Sequence, residues 1–423
     1  MKQYLIILSA ILFLLHSSIS HAQTSGTYRQ HAEYEPTEAV WMLYPQIIHK
    51  KDFPTAAVTA TMINALATSV KIKLIVQNDS IEQLIRNILP ASLLANGTVT
   101  VLKFPYQEFW ARDMGPVFVT NNRGEKAIAD FNFNDWGYND TADTGAQLDE
   151  KLDERIAAYY HVPLISTHIV SEGGDREVNG KGILLLVEAV EKQRNPGLTL
   201  EQMEPEYKRL LGVSKIIWLK QGVRDDDQSF YPPIDGPGGK KYYTMLTTGG
   251  HVDEFARFVN DSTILLASVD AGERSSDMEK QTGERMDVNF EILKNATDQN
   301  GKPFHIVRMP MPYPVITKLA PGDSVYAQLK QLQTAAGLSF PDDAVDCVAA
   351  ASYLNFLVAN DVVLVGKYWK KGLAKKIKNR DKEARQILQQ VFPGKKIIAI
   401  DALAINYGGG GMHCITMNEP AAQ

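Results

Sequence analysis

One order of elements recurs along this chain: strand, strand, helix, strand. "MGPVFVT" and "KAIADFNF" precede the helical-period stretch "AQLDEKLDERIAAYY" and the apolar run "LISTHIV". "DREV" and "GILLLVEAV" precede "LEQMEPEYKRLLG" and "KIIWL". "HVDEFARFV" and "STILLASV" precede "RMDVNFEILKNAT" and "FHIVRM", and "YLNFLVA" and "DVVLVGKYW" precede "KEARQILQQVF" and "KIIAIDA". Near the N-terminus, "VWMLYP", a helical stretch around Ala56–Ser69, "KIKLIV" and "VTVLKF" suggest a fifth unit. The short runs alternate as strands do, and the longer ones carry the helical period. A ββαβ unit cannot bury both faces of its sheet alone, so several must pack together. This predicts an α/β fold, with residues 23–423 as a single domain. The stretches Arg224–Lys241 and Pro310–Asp346 are read as long loop insertions, which in a compact domain tend to carry function.

Polar clusters open the units: "FWARDMGP", "SEGGDREVNG", "GGHVDEF" and "ASYLNF", with "GGGGMHCIT" near the end of the chain. If the units surround a pseudo-fivefold axis, their first strands point inward and these openings converge on one site. The last strand would then carry Cys414 to the centre, with Gly408–Gly411 allowing close backbone approach.

The first 22 residues read as an export signal. Lys2 is followed by the apolar "YLIILSAILFLLH", and Ser20-His21-Ala22 suits cleavage after Ala22. No membrane anchor is expected once the signal is removed, and the protein is expected in a periplasm or outside the cell. The net charge of −5 and the lack of a basic stripe before Lys367–Arg385 argue against nucleic acid as a partner. That basic run reads as the solvated face of a helix. The two cysteines, Cys347 and Cys414, are too few for a disulfide-stapled scaffold and leave room for a reactive thiol.

A nucleophilic Cys414 needs a base or an electropositive setting, and His251 is its expected partner. The alternative is a small buried hydrophobe. His413, next to Cys414, is expected to point away from it if the segment is a strand. His251 and Asp253, two residues apart in a strand, would project to one side, either as part of a reaction site or as a metal pair. Asp113 is a candidate carboxylate or half of a surface pair with Arg112. Glu172, before Gly173-Gly174, is a further candidate or a turn carboxylate. A cysteine protease does not need a ring of acids. Several carboxylates in one pocket repel unless the substrate is cationic, and a planar guanidinium fits them.

The stretches "FWARDMGP", "FNFNDWG", "EGGDREVNGKGILLLVE", "GHVDEFARFV" and "INYGGGGMHCITMNEP" together resemble the agmatine deiminase and bacterial (Porphyromonas-type) peptidylarginine deiminase family. The resemblance implies a five-bladed pseudo-symmetric ββαβ propeller. It implies that Cys414 attacks a guanidino carbon, that Asp113 and Asp253 grip guanidinium nitrogens, that His251 is acid and base, and that Glu172 orients it. Asn355 would support the site, and Trp110 and Trp136 would flank the substrate. It implies a covalent thiouronium and no metal or organic cofactor.

The expected substrate is a small cationic guanidino compound, agmatine, with an arginyl peptide as the alternative. The stretch "DFNFNDWGYNDTADTGAQLDE" carries Asp135, Asp140 and Asp143 and no Arg or Lys, which suits an amine better than a carboxylate. Arg176 and Arg257 are the residues that could still meet a carboxylate. A guanidino binder without catalysis and a metal hydrolase using His251, Asp253 and His413 are the competing readings. A homo-oligomer is compatible with the sequence.

Overall fold

The computed structural model describes residues 27–46, 50, 53–139 and 144–421. The expected export signal and the positions Asp140 and Asp143 lie outside the described residues.

Five sheets repeat one pattern: an antiparallel pair whose second strand then pairs in parallel with a third. In one of them Glu177–Val178, Ile183–Val187 and Lys215–Leu219 lie side by side. Ala256–Phe258, Thr263–Ser268 and His305–Pro310 form another, and Leu357–Ala359, Val362–Gly366 and Lys396–Ile400 a third. Val117–Thr120, Lys126–Asn132 and Leu164–Val170 form a fourth, extended by Arg29–Gln30. A parallel pair needs a long crossover, and helices such as Leu200–Leu211, Asp277–Asn295 and Lys375–Val391 supply it. Their ends follow local chemistry. Thr199 with Gln202, and Ser276 with Glu279, form capping boxes that satisfy N-terminal amides.

The middle strands "ILLLV" and "VVLVG" are buried along their whole length, as strands covered on both faces must be. In the fifth sheet the two ends of the chain meet. Thr416–Pro420 pairs antiparallel with Thr37–Leu43, which is followed by Lys71–Val76 and Val99–Lys103. Trp41 donates its indole N–H to Glu419 at 2.8 Å across this seam. The seam holds the segment just before it, which contains Cys414.

Two expectations need correction. The presumed loop insertions instead build a sixth sheet, with Ile234–Asp235, Lys241–Thr244, Val345–Val348 and Ile316–Leu319 in adjacent positions, and they add the helix Ser324–Ala335. The polar openings are not strands either. Ala111–Met114 is a helical turn, and Gly173–Asp175 and Val252–Glu254 are 3₁₀ turns that precede their strands. No helix among the described residues is long and apolar enough to cross a membrane.

Candidate active site

The turns are held by buried carboxylates that accept backbone N–H groups. Asp175 takes Val187 and Val252, each at 3.1 Å. Asp226 takes Gly250 and His251, each at 3.0 Å, and the Thr248 hydroxyl at 2.7 Å. These bonds place His251 and Asp253 around one turn. They do not share the face of a strand, as alternation predicted. Both still reach the same point: a methyl group on Gly174 would lie 2.5 Å from His251 Nδ1, 3.0 Å from Asp113 Oδ1 and 3.3 Å from Asp253 Oδ2. Only glycine leaves room for the three groups to converge there.

Glu172 faces His251 Nε2 at 3.2 Å and receives Arg194 Nε at 2.7 Å. Burial alone would raise the Glu172 pKa, but Arg194 and His251 outweigh it and hold it at about 2. Burial would lower that of His251, yet Asp113, Glu172 and Asp175 push it up to about 10, so the ring is an imidazolium at neutral pH. Its Nδ1 is buried, has no hydrogen-bond partner and lies 3.9 Å from Asp113. Asp113 accepts the Gly174 N–H and the Trp136 indole N–H, each at 2.8 Å. Its pKa is raised by burial and by Asp253 and Glu172, against the pull of His251. Trp136 reaches it from a left-handed backbone step (φ 54°) between Asp135 and Gly137, strain that a packed site can sustain.

Cys414 lies in a turn just before the last strand. The glycines before it answer to packing. A methyl group on Gly410 would come within 2.7 Å of the Trp110 ring and 3.1 Å of Cys414 Sγ, and one on Gly411 within 2.2 Å of Asn355 Oδ1. The Asn355 amide N–H₂ points at three acceptors: Glu254 at 2.8 Å, Cys414 Sγ at 3.1 Å and Asp253 at 3.2 Å. Its oxygen accepts the His413 backbone N–H at 2.9 Å, which fixes which way the amide faces.

The expected Cys414–His251 pair does not form. Sγ lies 3.7 Å from Asp253 Oδ2 and 3.9 Å from Glu254, while His251 bonds Glu172. The setting is electronegative rather than electropositive. Burial, Asp253, Glu254 and Asp113 together push the thiol well above its ordinary range. Asp253 itself is held low, since His413, His251 and Arg257 outweigh its burial. Glu254 is pushed well above the usual carboxylate range by burial and by Asp253, Asp226 and Asp225. Asp253, Glu254 and Cys414 are close enough to offer ligand atoms to a metal ion, all lying within 4.8 Å of one another. Those same atoms are the ones the Asn355 amide serves.

Arg112 does not pair with Asp113. It bonds Glu33 and, through its backbone N–H, the Cys414 carbonyl at 2.9 Å. Arg176 and Arg257 are buried. Arg257 is bound to Glu33, Glu177 and the carbonyls of Leu354 and Phe356, and Arg176 stacks on Phe131 with its guanidinium carbon 4.0 Å from the ring centre. Arg257 is thus spent on partners within the protein, whereas the buried Arg176 Nε has no hydrogen-bond partner.

The His413 ring bonds two carboxylates: its Nδ1 lies 2.6 Å from Asp253 and its Nε2 2.6 Å from Glu33. Its strand-like position in the sequence hid this. Glu254 could have been suspected from "HVDEF", whereas nothing local pointed to Glu33, Arg194 or Asp226.

A cavity of about 270 Å³ adjoins the cluster and shares Trp110 and Trp136 with it. Glu108, Asp135, Asn139, Gln328 and Leu246 also line it, and its described lining holds no Lys or Arg. Burial and Asp135 push Glu108 up to about 7. The helix from the inserted segment thus forms part of this wall.

The profile of the Porphyromonas-type peptidyl-arginine deiminases matches residues 29–231 and 239–420. The chain belongs to this family. It is 27% identical to the agmatine deiminase of Pseudomonas syringae pv. tomato, over 96% of this chain and 99% of that protein. It is 28% identical to the agmatine deiminase of Medicago truncatula, over 95% and 99% respectively. The solved structure of the Enterococcus faecalis agmatine deiminase superposes with a TM-score of 0.72 at 25% identity, covering 94% of this chain and 97% of that one.

Proposed function

We propose that the protein is a hydrolase that deiminates agmatine to N-carbamoylputrescine and ammonia. The observation that carries this reading is the acidic frame around the thiol. Asp113 and Asp253 stand beside Cys414, and Glu108 and Asp135 stand in the adjoining cavity, with no cation among its described lining residues. A guanidinium between Asp113 and Asp253 offsets the charges that hold the thiol proton, so the substrate itself favours the thiolate. The thiol proton passes to solvent as the guanidinium enters, and Sγ then attacks the guanidino carbon. His251, protonated in the resting site, gives its proton to the departing nitrogen, and ammonia leaves a thiouronium on Cys414. The neutral ring next takes a proton from water, which attacks the same carbon and expels the thiolate. Glu172 and Arg194 hold the ring so that Nδ1, the nitrogen without a partner, serves both steps. No step calls for a metal or an organic cofactor.

The five repeated sheets are proposed to surround a common axis as a propeller, which would explain why their opening turns meet. Residues 23–423 then form one domain, exported by the first 22 residues to a periplasm or outside the cell. Agmatine, free arginine and C-terminal arginyl peptides, compared at one pH and salt concentration, test the reading through ureido product. The highest kcat/KM is expected for agmatine, whose far amine suits the acidic cavity. A preference for arginyl peptides would replace it with peptidylarginine deimination.

A further inference from the structure

The cluster has a second layer, behind Asp253, that the reaction scheme does not use. Asp253 has two unlike oxygens. Oδ2 faces His413 Nδ1 at 2.6 Å and Asn355 Nδ2 at 3.2 Å, while Oδ1 is buried with no partner. On its other side the His413 ring meets Glu33 at 2.6 Å. A neutral imidazole carries a single N–H and can donate to only one of two carboxylates, so making both bonds calls for an imidazolium. Glu33 is itself anchored by Arg112 and by Arg257, the latter at 2.8 Å, and they hold it well below the usual carboxylate range together with His413. The carboxyl groups of Asp253, Glu33 and Glu177 here face the His413 ring and the guanidinium groups of Arg112 and Arg257. Asp253 is the only one of the six in contact with Cys414 Sγ, at 3.7 Å.

We propose that His413, braced by Glu33, is a positioning residue that turns one oxygen of Asp253 toward the substrate guanidinium and supplies the positive charge that balances Asp253 beside the nucleophile. It acts twice, since its backbone N–H also orients the Asn355 amide. The role rests on the deiminase reading. Without the ring's charge, the buried Asp253 faces Glu254, Cys414 and Asp113 with only His251 and Arg257 to offset them. Its folded pKa then rises, and the ionised form that grips substrate appears only at higher pH. The acid limb of kcat/KM moves upward accordingly.

The test compares the wild-type chain with H413Q and E33Q by agmatine kcat/KM against pH, thermal unfolding, and ¹⁵N NMR of histidine-labelled, substrate-free protein. H413Q identifies the His413 signals by their loss. The expected wild-type ring shows a hydrogen-bonded N–H on each nitrogen at pH 7.5, one toward Asp253 and one toward Glu33, and E33Q takes away the carboxylate partner of Nε2. H413Q is expected to lose at least about tenfold in kcat/KM and to move the acid limb up by about one pH unit, the scale of one removed charge. E33Q should show the same direction with a smaller change. A neutral His413 ring at pH 7.5, or an unmoved acid limb in both variants, overturns the proposal. If H413Q does not fold, E33Q carries the test. If wild-type protein does not turn over agmatine, the functional reading falls and the NMR arm alone decides whether the brace exists.

Discussion

The two cysteines are both buried, and both thiols are pushed above their ordinary range, yet they sit in unlike places. Cys347 lies in the middle of the inserted sheet, opposite Tyr243 on one side and Thr317 on the other. Burial dominates there, with Asp346 and Asp323 adding to it. Cys414 lies in a turn, bonded by Asn355 and flanked by Asp253, Glu254 and Asp113. Both thiols are raised first by the loss of water and then by carboxylates. Beside Cys414 two of those carboxylates lie 3.7 and 3.9 Å from Sγ, where a bound cation would neutralise them. A raised thiol pKa therefore does not separate an inert cysteine from a reactive one; what stands next to the sulfur does.

The sharpest way to break this contrast is Cys414→Ser. Turnover should fall below detection with unfolding temperature nearly unchanged, because an alcohol without a strong base is a far poorer nucleophile. Ammonia release near the wild-type rate would end the covalent scheme. Asp113→Asn and Asp253→Asn come next. Each removes one charge-assisted bond to the guanidinium, worth about 1.5–3 kcal/mol, so kcat/KM for agmatine should drop by about 10- to 150-fold. If both variants keep more than a tenth of the wild-type value, the two-carboxylate grip is wrong. Trp136→Phe keeps the aromatic wall but deletes the N–H that bonds Asp113 at 2.8 Å. A loss of about threefold to tenfold is expected, the scale of one ordinary hydrogen bond of about 0.5–1.5 kcal/mol.

Alkylation by iodoacetamide sharpens the comparison without turnover. With its pKa raised, the Cys414 thiolate appears only as pH climbs past the ordinary thiol range. Labelling should therefore be slow at pH 7.5 and accelerate toward alkaline pH. Rapid labelling at pH 7.5 in substrate-free protein would contradict the electronegative setting. Cys347→Ala should do least: unchanged kcat/KM and a stability cost of about 1 kcal/mol, the central value for single substitutions. Activity loss in a folded Cys347→Ala protein would mean that the inserted sheet takes part in the chemistry.

Much of the fold was legible because burial on both faces leaves runs such as "ILLLV" and "VVLVG", which local pattern reports well. The inserted sheet was not. Lys241–Thr244 pairs with Val345–Val348, about a hundred residues later, and the Pro- and Gly-rich sequence around both reads as loop. The site was legible as a set of residue types gathered at the openings of units, and Cys414, Asp113, Asp253, Glu172, His251 and Asn355 do come together. Their geometry was read wrongly at two points. Alternation assumed strands at His251–Asp253 and at His413–Cys414, where carboxylates and glycines form turns. Nor does local alternation report that His413 bonds Asp253, 160 residues away along the chain.

The sequence by itself determined the repeated units, the buried strands, and the presence of a thiol, an imidazole and several acids at their openings. Only the tertiary structure decided which of these groups are charged and which atoms are free to act. Glu172 is held low by Arg194, His251 is held high by Asp113 and Glu172, and Asp253 is balanced by His413. The partners of each lie far away along the chain. Charge interactions depend on distance through space and on exclusion of water, and neither is written in any local stretch of residues.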